Sequence, residues 1–102
     1  MKELTNENFE EETKSGVTLV DFFAEWCGPC RMMTPVLEEV SSAVKDEAKI
    51  AKLDIDHASA IAAKYQVTSV PTLVLFKDGK ELDRLVGLRD AEAIKSFILK
   101  AK

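Results

Sequence analysis

The chain of 102 residues holds two cysteines, Cys27 and Cys30, which are separated by Gly28 and Pro29. A thiolate is a strong nucleophile, and two thiols on one helical turn, about 5 Å apart at Cβ, can close into a disulfide with little backbone motion. A disulfide that spans three residues closes almost no loop and would stabilise the fold little. The pair therefore predicts redox chemistry rather than structural crosslinking.

Local features around Cys27 are expected to favour its thiolate. A helix beginning here would direct unpaired N–H groups and the positive end of its dipole at the sulfur. Pro29 suits a first helical turn, and the Cys30 thiol would lie on the same face and donate to the Cys27 sulfur. We therefore expect a lowered pKa for Cys27 as the exposed nucleophile, with Cys30 as the shielded resolving thiol.

Two other interpretations of the pair are half of a zinc site and inert buried thiols. Tetrahedral zinc needs four ligands, whereas the chain offers two cysteines and one histidine, His57. His57 stands in a polar turn and is interpreted as a surface residue. We expect no metal and no cofactor.

Composition excludes several classes of protein. The net charge is −4, which argues against a nucleic-acid-binding face and against docking on anionic lipid. No apolar run approaches the roughly 20 residues of a membrane span, and the N-terminus lacks the apolar region of a secretory signal. The missing segments predict a location in the cytoplasm. The length of 102 residues predicts one domain over residues 1–102, and we expect it to be a monomer.

The elements around the pair alternate. Strands are predicted at 17–23, 49–55 and 72–77 because apolar and β-branched residues occupy both parities there. Asp78-Gly79 is a hairpin signal, and 81–86 is the returning strand.

Helices are predicted between these strands. One runs over 8–15, one starts at Pro29 with a kink at Pro35, and one covers 59–65. Asp90 is suited to cap a last helix. The alternation predicts an α/β fold in which helices flank both faces of a central mixed sheet.

The segment Ala24-Glu-Trp-Cys-Gly-Pro-Cys30 resembles the active-site signature of the thioredoxin family. Val20-Asp-Phe22 and Val70-Pro-Thr72 match other characteristic segments of the family, and Gly87 matches its late glycine. The resemblance extends from about Leu4 to the C-terminus and implies the thioredoxin fold. It also implies that the protein reduces protein disulfides by dithiol–disulfide exchange.

The resemblance adds roles to residues that are ambiguous by themselves. Asp21 lies within an apolar strand, where burial would raise its pKa, and the family implies that it relays a proton from Cys30. An aspartate at a strand end that faces water is the alternative. Lys52, which could equally be a solvated lysine, is implied to moderate the Asp21 pKa. Phe23 departs from the second tryptophan that many members carry.

A substrate-binding rim is also implied, although Trp26 could instead be a core residue and Pro71 an ordinary trans proline. Its members are Trp26, Gly28, Pro29, Val70, Pro71 and Gly87. Pro71 is cis in the family, which would leave the Val70 backbone free to pair with an extended substrate.

The resemblance implies recharging by thioredoxin reductase. It also implies substrates such as ribonucleotide reductase, peroxiredoxin and methionine sulfoxide reductase. Two alternatives stay open: a disulfide oxidase or isomerase, and a binding subunit that uses the same rim without redox chemistry.

Overall fold

The computed structural model describes residues 1–101. Within them, one sheet contains five strands: β1 (Lys2–Leu4), β2 (Val17–Phe23), β3 (Lys49–Asp54), β4 (Thr72–Lys77) and β5 (Lys80–Val86). The same residues form four α-helices: α1 (Phe9–Thr13), α2 (Gly28–Ala43), α3 (Ser59–Lys64) and α4 (Ala91–Ile98), with a 3-10 turn at Leu99–Ala101. The predicted order of elements is confirmed, except that a short strand precedes the first helix.

The sheet is mixed, as predicted, with the strand order β1-β3-β2-β4-β5. The pairs β1–β3 and β3–β2 are parallel, whereas β2–β4 and β4–β5 are antiparallel. Asp78 and Gly79 both have positive φ, 50° and 86°, which is the backbone that a two-residue hairpin turn requires. The antiparallel part contains three strands, β2, β4 and β5, rather than the two of the predicted hairpin, because β4 is also antiparallel to β2.

Strand β1 is not among the elements that the sequence predicts. It pairs Glu3 with Lys52 and Leu4 with Leu53 of β3. Three residues with a single buried apolar side chain give no periodic signal. The strand forms because the outer edge of β3 would otherwise present unpaired backbone groups.

Two apolar layers cover the sheet. Leu19 faces α2 and α4, whereas the next residue along β2, Val20, faces α1 and α3. Because successive side chains of a strand point to opposite faces, the double-parity apolar pattern of β2 follows from this two-sided covering. Asp21 has the parity of Leu19 and thus lies on the α2 face.

The helix boundaries depend on local backbone chemistry. Gly16, with φ of 75°, follows α1, which is shorter than the predicted 8–15. Pro35 lies inside α2, and the helix continues on both sides of it. The predicted cap of α4 is confirmed, because the Asp90 carboxylate accepts from the Ala93 N–H at 2.9 Å. Within residues 1–101, no helix combines the length and apolarity needed to cross a membrane.

Candidate functional site

The cysteine pair lies where the chain leaves β2 and enters α2. A tight turn follows the strand, in which the Cys27 N–H donates to the Ala24 carbonyl at 3.1 Å. Cys27 has an extended backbone and is the N-cap residue of α2, and Gly28 and Pro29 start the helix. A strand buried on both faces and a 16-residue helix therefore hold the pair from two sides.

The two cysteines are joined as a disulfide, with their Cα atoms 5.3 Å apart. The Cys30 N–H donates to the Cys27 sulfur at 3.2 Å, so this sulfur takes the place of the side-chain oxygen of an ordinary N-cap. An amide N–H directed at a sulfur stabilises negative charge on it. The geometry suits a reversible disulfide whose Cys27 sulfur can become a thiolate.

The expectation of an exposed Cys27 is wrong for this disulfide form. Cys27 is 5% exposed and Cys30 is 3% exposed. Ala24, Ile55 and Val70 pack around them, and the Cys27 sulfur lies 3.8 Å from the Val70 carbonyl oxygen. The two cysteines differ instead in what they face: Cys27 contacts the Val70 backbone, whereas Cys30 lines a cleft that also reaches Asp21.

The buried carboxyl of Asp21 lies behind the pair and is 3% exposed. Its Oδ1 atom has no hydrogen-bond partner within residues 1–101. Burial raises the pKa of Asp21 from 3.8 to about 7, an effect that the positive charge of Lys52 partly offsets. A carboxyl with this pKa can accept or release a proton at neutral pH.

Lys52 lies directly beside Asp21, because the β2–β3 register pairs these two residues. The lysine is half-buried, and its Nζ lies 5.8 Å from the centre of the Phe23 ring. Within residues 1–101 it makes no ion pair within 4 Å of a carboxylate. It therefore acts on the Asp21 pKa through space rather than through a salt bridge.

The predicted rim residues come together around the disulfide. Trp26 is 68% exposed and thus not a core residue, and its indole N–H donates to Asp56 Oδ2 at 3.1 Å. The Val70–Pro71 peptide is cis, and the Gly87 N–H donates to the Pro71 carbonyl at 2.8 Å. Pro71 itself is buried and so adds little exposed surface to the rim.

Two residues of the site, Asp56 and Leu88, are missed by sequence reasoning. Asp56 orients the Trp26 indole, and Leu88 extends the apolar surface together with Met32, at 43% and 63% exposed. No sequence signal singles out Asp56, because its partner lies 30 residues away. Leu88 stands in a loop whose exposed side only the packing defines.

No group of three or more histidine, cysteine, aspartate or glutamate side chains in residues 1–101 is placed to hold a metal ion. His57 lies on the surface, as predicted, with its side chain 74% exposed. The zinc interpretation of the cysteine pair thus finds no further ligands in this part of the chain.

Comparison with known proteins agrees with this geometry. The thioredoxin family model matches residues 1–100. A thioredoxin of Chlamydia pneumoniae is 50% identical over 100 residues, covering 98% of this chain and 97% of the relative. A thioredoxin of Staphylococcus saprophyticus is 47% identical over 97 residues, covering 95% and 93%. The matched regions include the cysteine pair and all of the elements that position it.

Proposed function

The chain belongs to the thioredoxin family and is a thiol–disulfide oxidoreductase with protein-disulfide reductase activity, and we propose here how its residues divide the reaction. The observation that carries the proposal is the Cys27–Cys30 disulfide at the start of α2, with Cys27 as its N-cap. The reduced form of this pair supplies the two electrons that a substrate disulfide takes up.

In the first half of the reaction, Cys27 is the nucleophile. Its thiolate attacks one sulfur of the substrate disulfide, the substrate S–S bond breaks, and one substrate thiolate leaves. The Cys30 N–H and the helix N-terminus support this role because they stabilise the thiolate. The product is a mixed disulfide between Cys27 and the substrate.

In the second half, Cys30 resolves the mixed disulfide. The Cys30 thiol gives its proton to the Asp21 carboxylate, and the resulting thiolate attacks the Cys27 sulfur. The Cys27–substrate bond breaks, the second substrate thiolate leaves, and the Cys27–Cys30 disulfide forms. A pKa of about 7 suits Asp21 for this transfer, and Lys52 keeps that pKa from rising further.

The substrate is proposed to dock on the rim around the disulfide. Trp26 and Pro29 offer exposed apolar surface, and Gly28 and Gly87 allow the substrate backbone to come close. The backbone of Val70, which precedes the cis Pro71, is available to pair with an extended substrate segment. This mode suits protein substrates of varied sequence, because most of its contacts involve the backbone.

A thioredoxin reductase is the proposed partner that restores the dithiol. Ribonucleotide reductase, peroxiredoxin and methionine sulfoxide reductase are the proposed kinds of substrate. We further propose that residues 1–102 act as one monomeric domain. The cytoplasm is the proposed location, because a reducing compartment keeps the pair in its active dithiol form.

The test is reduction of insulin disulfides with NADPH and a thioredoxin reductase as the electron source. Cys27→Ser is expected to abolish turnover, and Cys30→Ser is expected to accumulate the mixed disulfide, detected as a covalent complex by mass spectrometry. Ser42→Ala, an exposed change on the same helix, is the control and should turn over normally.

A covalent complex through Cys30 in Cys27→Ser would reverse the proposed roles. A Cys27→Ser, Cys30→Ser double variant that keeps a cellular function would point to binding without redox chemistry.

A further inference from the structure

A cleft of about 190 Å³ leads from the buried carboxyl of Asp21 to the protein surface. Asp21 and Cys30 line its inner part, and both are about 3% exposed. His57 lines the same cleft with a side chain that is 74% exposed. A water molecule takes up about 30 Å³ in the liquid, so the cleft has room for several water molecules between Asp21 and His57.

The strand register directs charged side chains into this cleft. Glu3 of β1 pairs with Lys52 of β3, which in turn pairs with Asp21 of β2. Directly paired residues point to the same face of a sheet, so the three form a row from the exposed edge strand to the buried carboxyl. Water in the cleft would therefore be flanked by polar groups along this row.

His57 is held at the outer end of the row. Its Nδ1 lies 3.5 Å from Asp54 Oδ2 and 3.9 Å from Glu3 Oε2. Asp54 is buried, and its other oxygen accepts the Asp56 N–H at 2.9 Å, which fixes the carboxylate beside the imidazole. Histidine is the side-chain type that most readily gains and loses a proton between pH 5 and 8, and this chain has one.

The remaining charged groups of the cleft come from its other walls. Glu25 precedes α2, Arg31 lies on α2, and Met1 precedes β1. The Arg31 guanidinium donates to the Glu25 carbonyl at 2.8 Å, which holds it against the turn. The Arg31 guanidinium makes no ion pair within 4 Å of the Asp54 carboxylate that contacts His57.

We propose that His57 is the proton-exchange residue of the cysteine pair and carries protons between Asp21 and bulk solvent through this cleft. The inference rests on the proposed role of Asp21. After Cys30 has given its proton to Asp21, that proton passes through water in the cleft to the His57 imidazole and then to solvent. The two substrate thiolates take up protons from solvent, and the carboxylate is restored. During recharging the proton follows the reverse path.

The test is the single-turnover oxidation of the reduced protein by insulin, followed through the emission of Trp26, the chain's single tryptophan. His57→Gln keeps the size and polarity of the side chain but removes proton exchange. At low buffer concentration we expect a rate roughly three- to tenfold lower, less than the roughly 100-fold or greater effect of a group acting directly on the reacting atoms. Added imidazole should restore the rate.

Two further variants separate the possible causes. In the His57→Gln background, Lys45→His returns a histidine at an exposed position that precedes β3, at the opposite end of the strand, and should not restore the rate. Asp21→Asn should be slow with or without imidazole, because the internal proton acceptor is missing.

A His57→Gln protein that is as fast as wild type, or slow but insensitive to imidazole, would overturn the inference while leaving the role of Asp21 intact. An Asp21→Asn protein with wild-type rates from pH 6 to 9 would instead overturn the proposed relay itself.

Discussion

At the scale of single residues, Asp21 links the chemistry of the site to the stability of the protein. Burial disfavours its charged form and raises its pKa from 3.8 to about 7. The folded state therefore binds this proton more tightly than the unfolded state does. The resulting stability is complete below about pH 4 and is lost as the pH rises through about 7.

Asp21→Asn is expected to stabilise the protein at high pH, because the uncharged amide removes the cost of a buried carboxylate. The rise of the Asp21 pKa from 3.8 to about 7 corresponds to about 4 kcal/mol at most, so the gain at pH 8.5 is expected to be roughly 2–4 kcal/mol, depending on how well the amide is accommodated. The free energy of unfolding, measured with urea at several pH values, should show the gain vanish near pH 4. An equal gain at both pH values would contradict this explanation.

At the same scale, some features of the site can be predicted from the sequence, whereas others appear only in the structure. The spacing of Cys27 and Cys30 predicts their pairing, because residues three apart on a helical turn meet whatever the rest of the fold does. The burial of Asp21 follows from its apolar neighbours in one strand. The contact between Trp26 and Asp56, in contrast, joins residues 30 positions apart and has no signature in either segment.

At the scale of elements, the N-termini of two helices matter for different reasons. The N-terminus of α2 positions the reactive sulfur, whereas the N-terminus of α4 has a purely structural cap. Asp90 accepts the Ala93 N–H there, and α4 buries Ile94 and Phe97 against the sheet. The α4 cap can therefore be tested without touching the chemistry.

Asp90→Ala is expected to cost about 1 kcal/mol of the free energy of unfolding, because one N–H of the first turn loses its acceptor. Asp90→Asn keeps an acceptor and should cost much less. Urea unfolding measures the effect, and the insulin reduction rate should stay unchanged in both variants. Equal losses for the two substitutions would show that the carboxylate acts through its charge alone.

At the same scale, β1 shows what a short element can add. Its three residues give no pattern of their own, yet their pairing with β3 brings Glu3 into line with Lys52 and Asp21. The register depends on the pairing of β1 with the outer edge of β3, and these two segments lie far apart in the chain. A local sequence window therefore does not reveal it.

At the scale of the whole molecule, two apolar cores fasten the helices to opposite faces of one sheet. Leu37 lies at the centre of the core between α2 and the sheet and is fully buried. This core also carries the helix that holds the cysteines. The stability of the fold and the placement of the site thus depend on the same contacts.

Leu37→Ala is expected to lower the free energy of unfolding by roughly 2–5 kcal/mol, because it removes buried methyl groups and leaves a cavity. Leu99→Ala is the matched control, since Leu99 is 54% exposed, and its cost should stay within about 0.5 kcal/mol. Urea unfolding distinguishes the two. A loss below about 1 kcal/mol at Leu37 would mean that α2 is not held by this core.

Across the whole molecule, the amino-acid sequence by itself determined the alternating elements, the mixed α/β sheet, the hairpin at Asp78-Gly79 and the redox pair. These follow from short-range chemistry: side-chain periodicity, turn residues and the spacing of two thiols on one helical turn. The tertiary structure alone decided the burial of Cys27, the added strand β1, and the cleft that joins Asp21 to His57. Those features depend on strand register and on contacts between segments far apart in the chain, which no local pattern encodes.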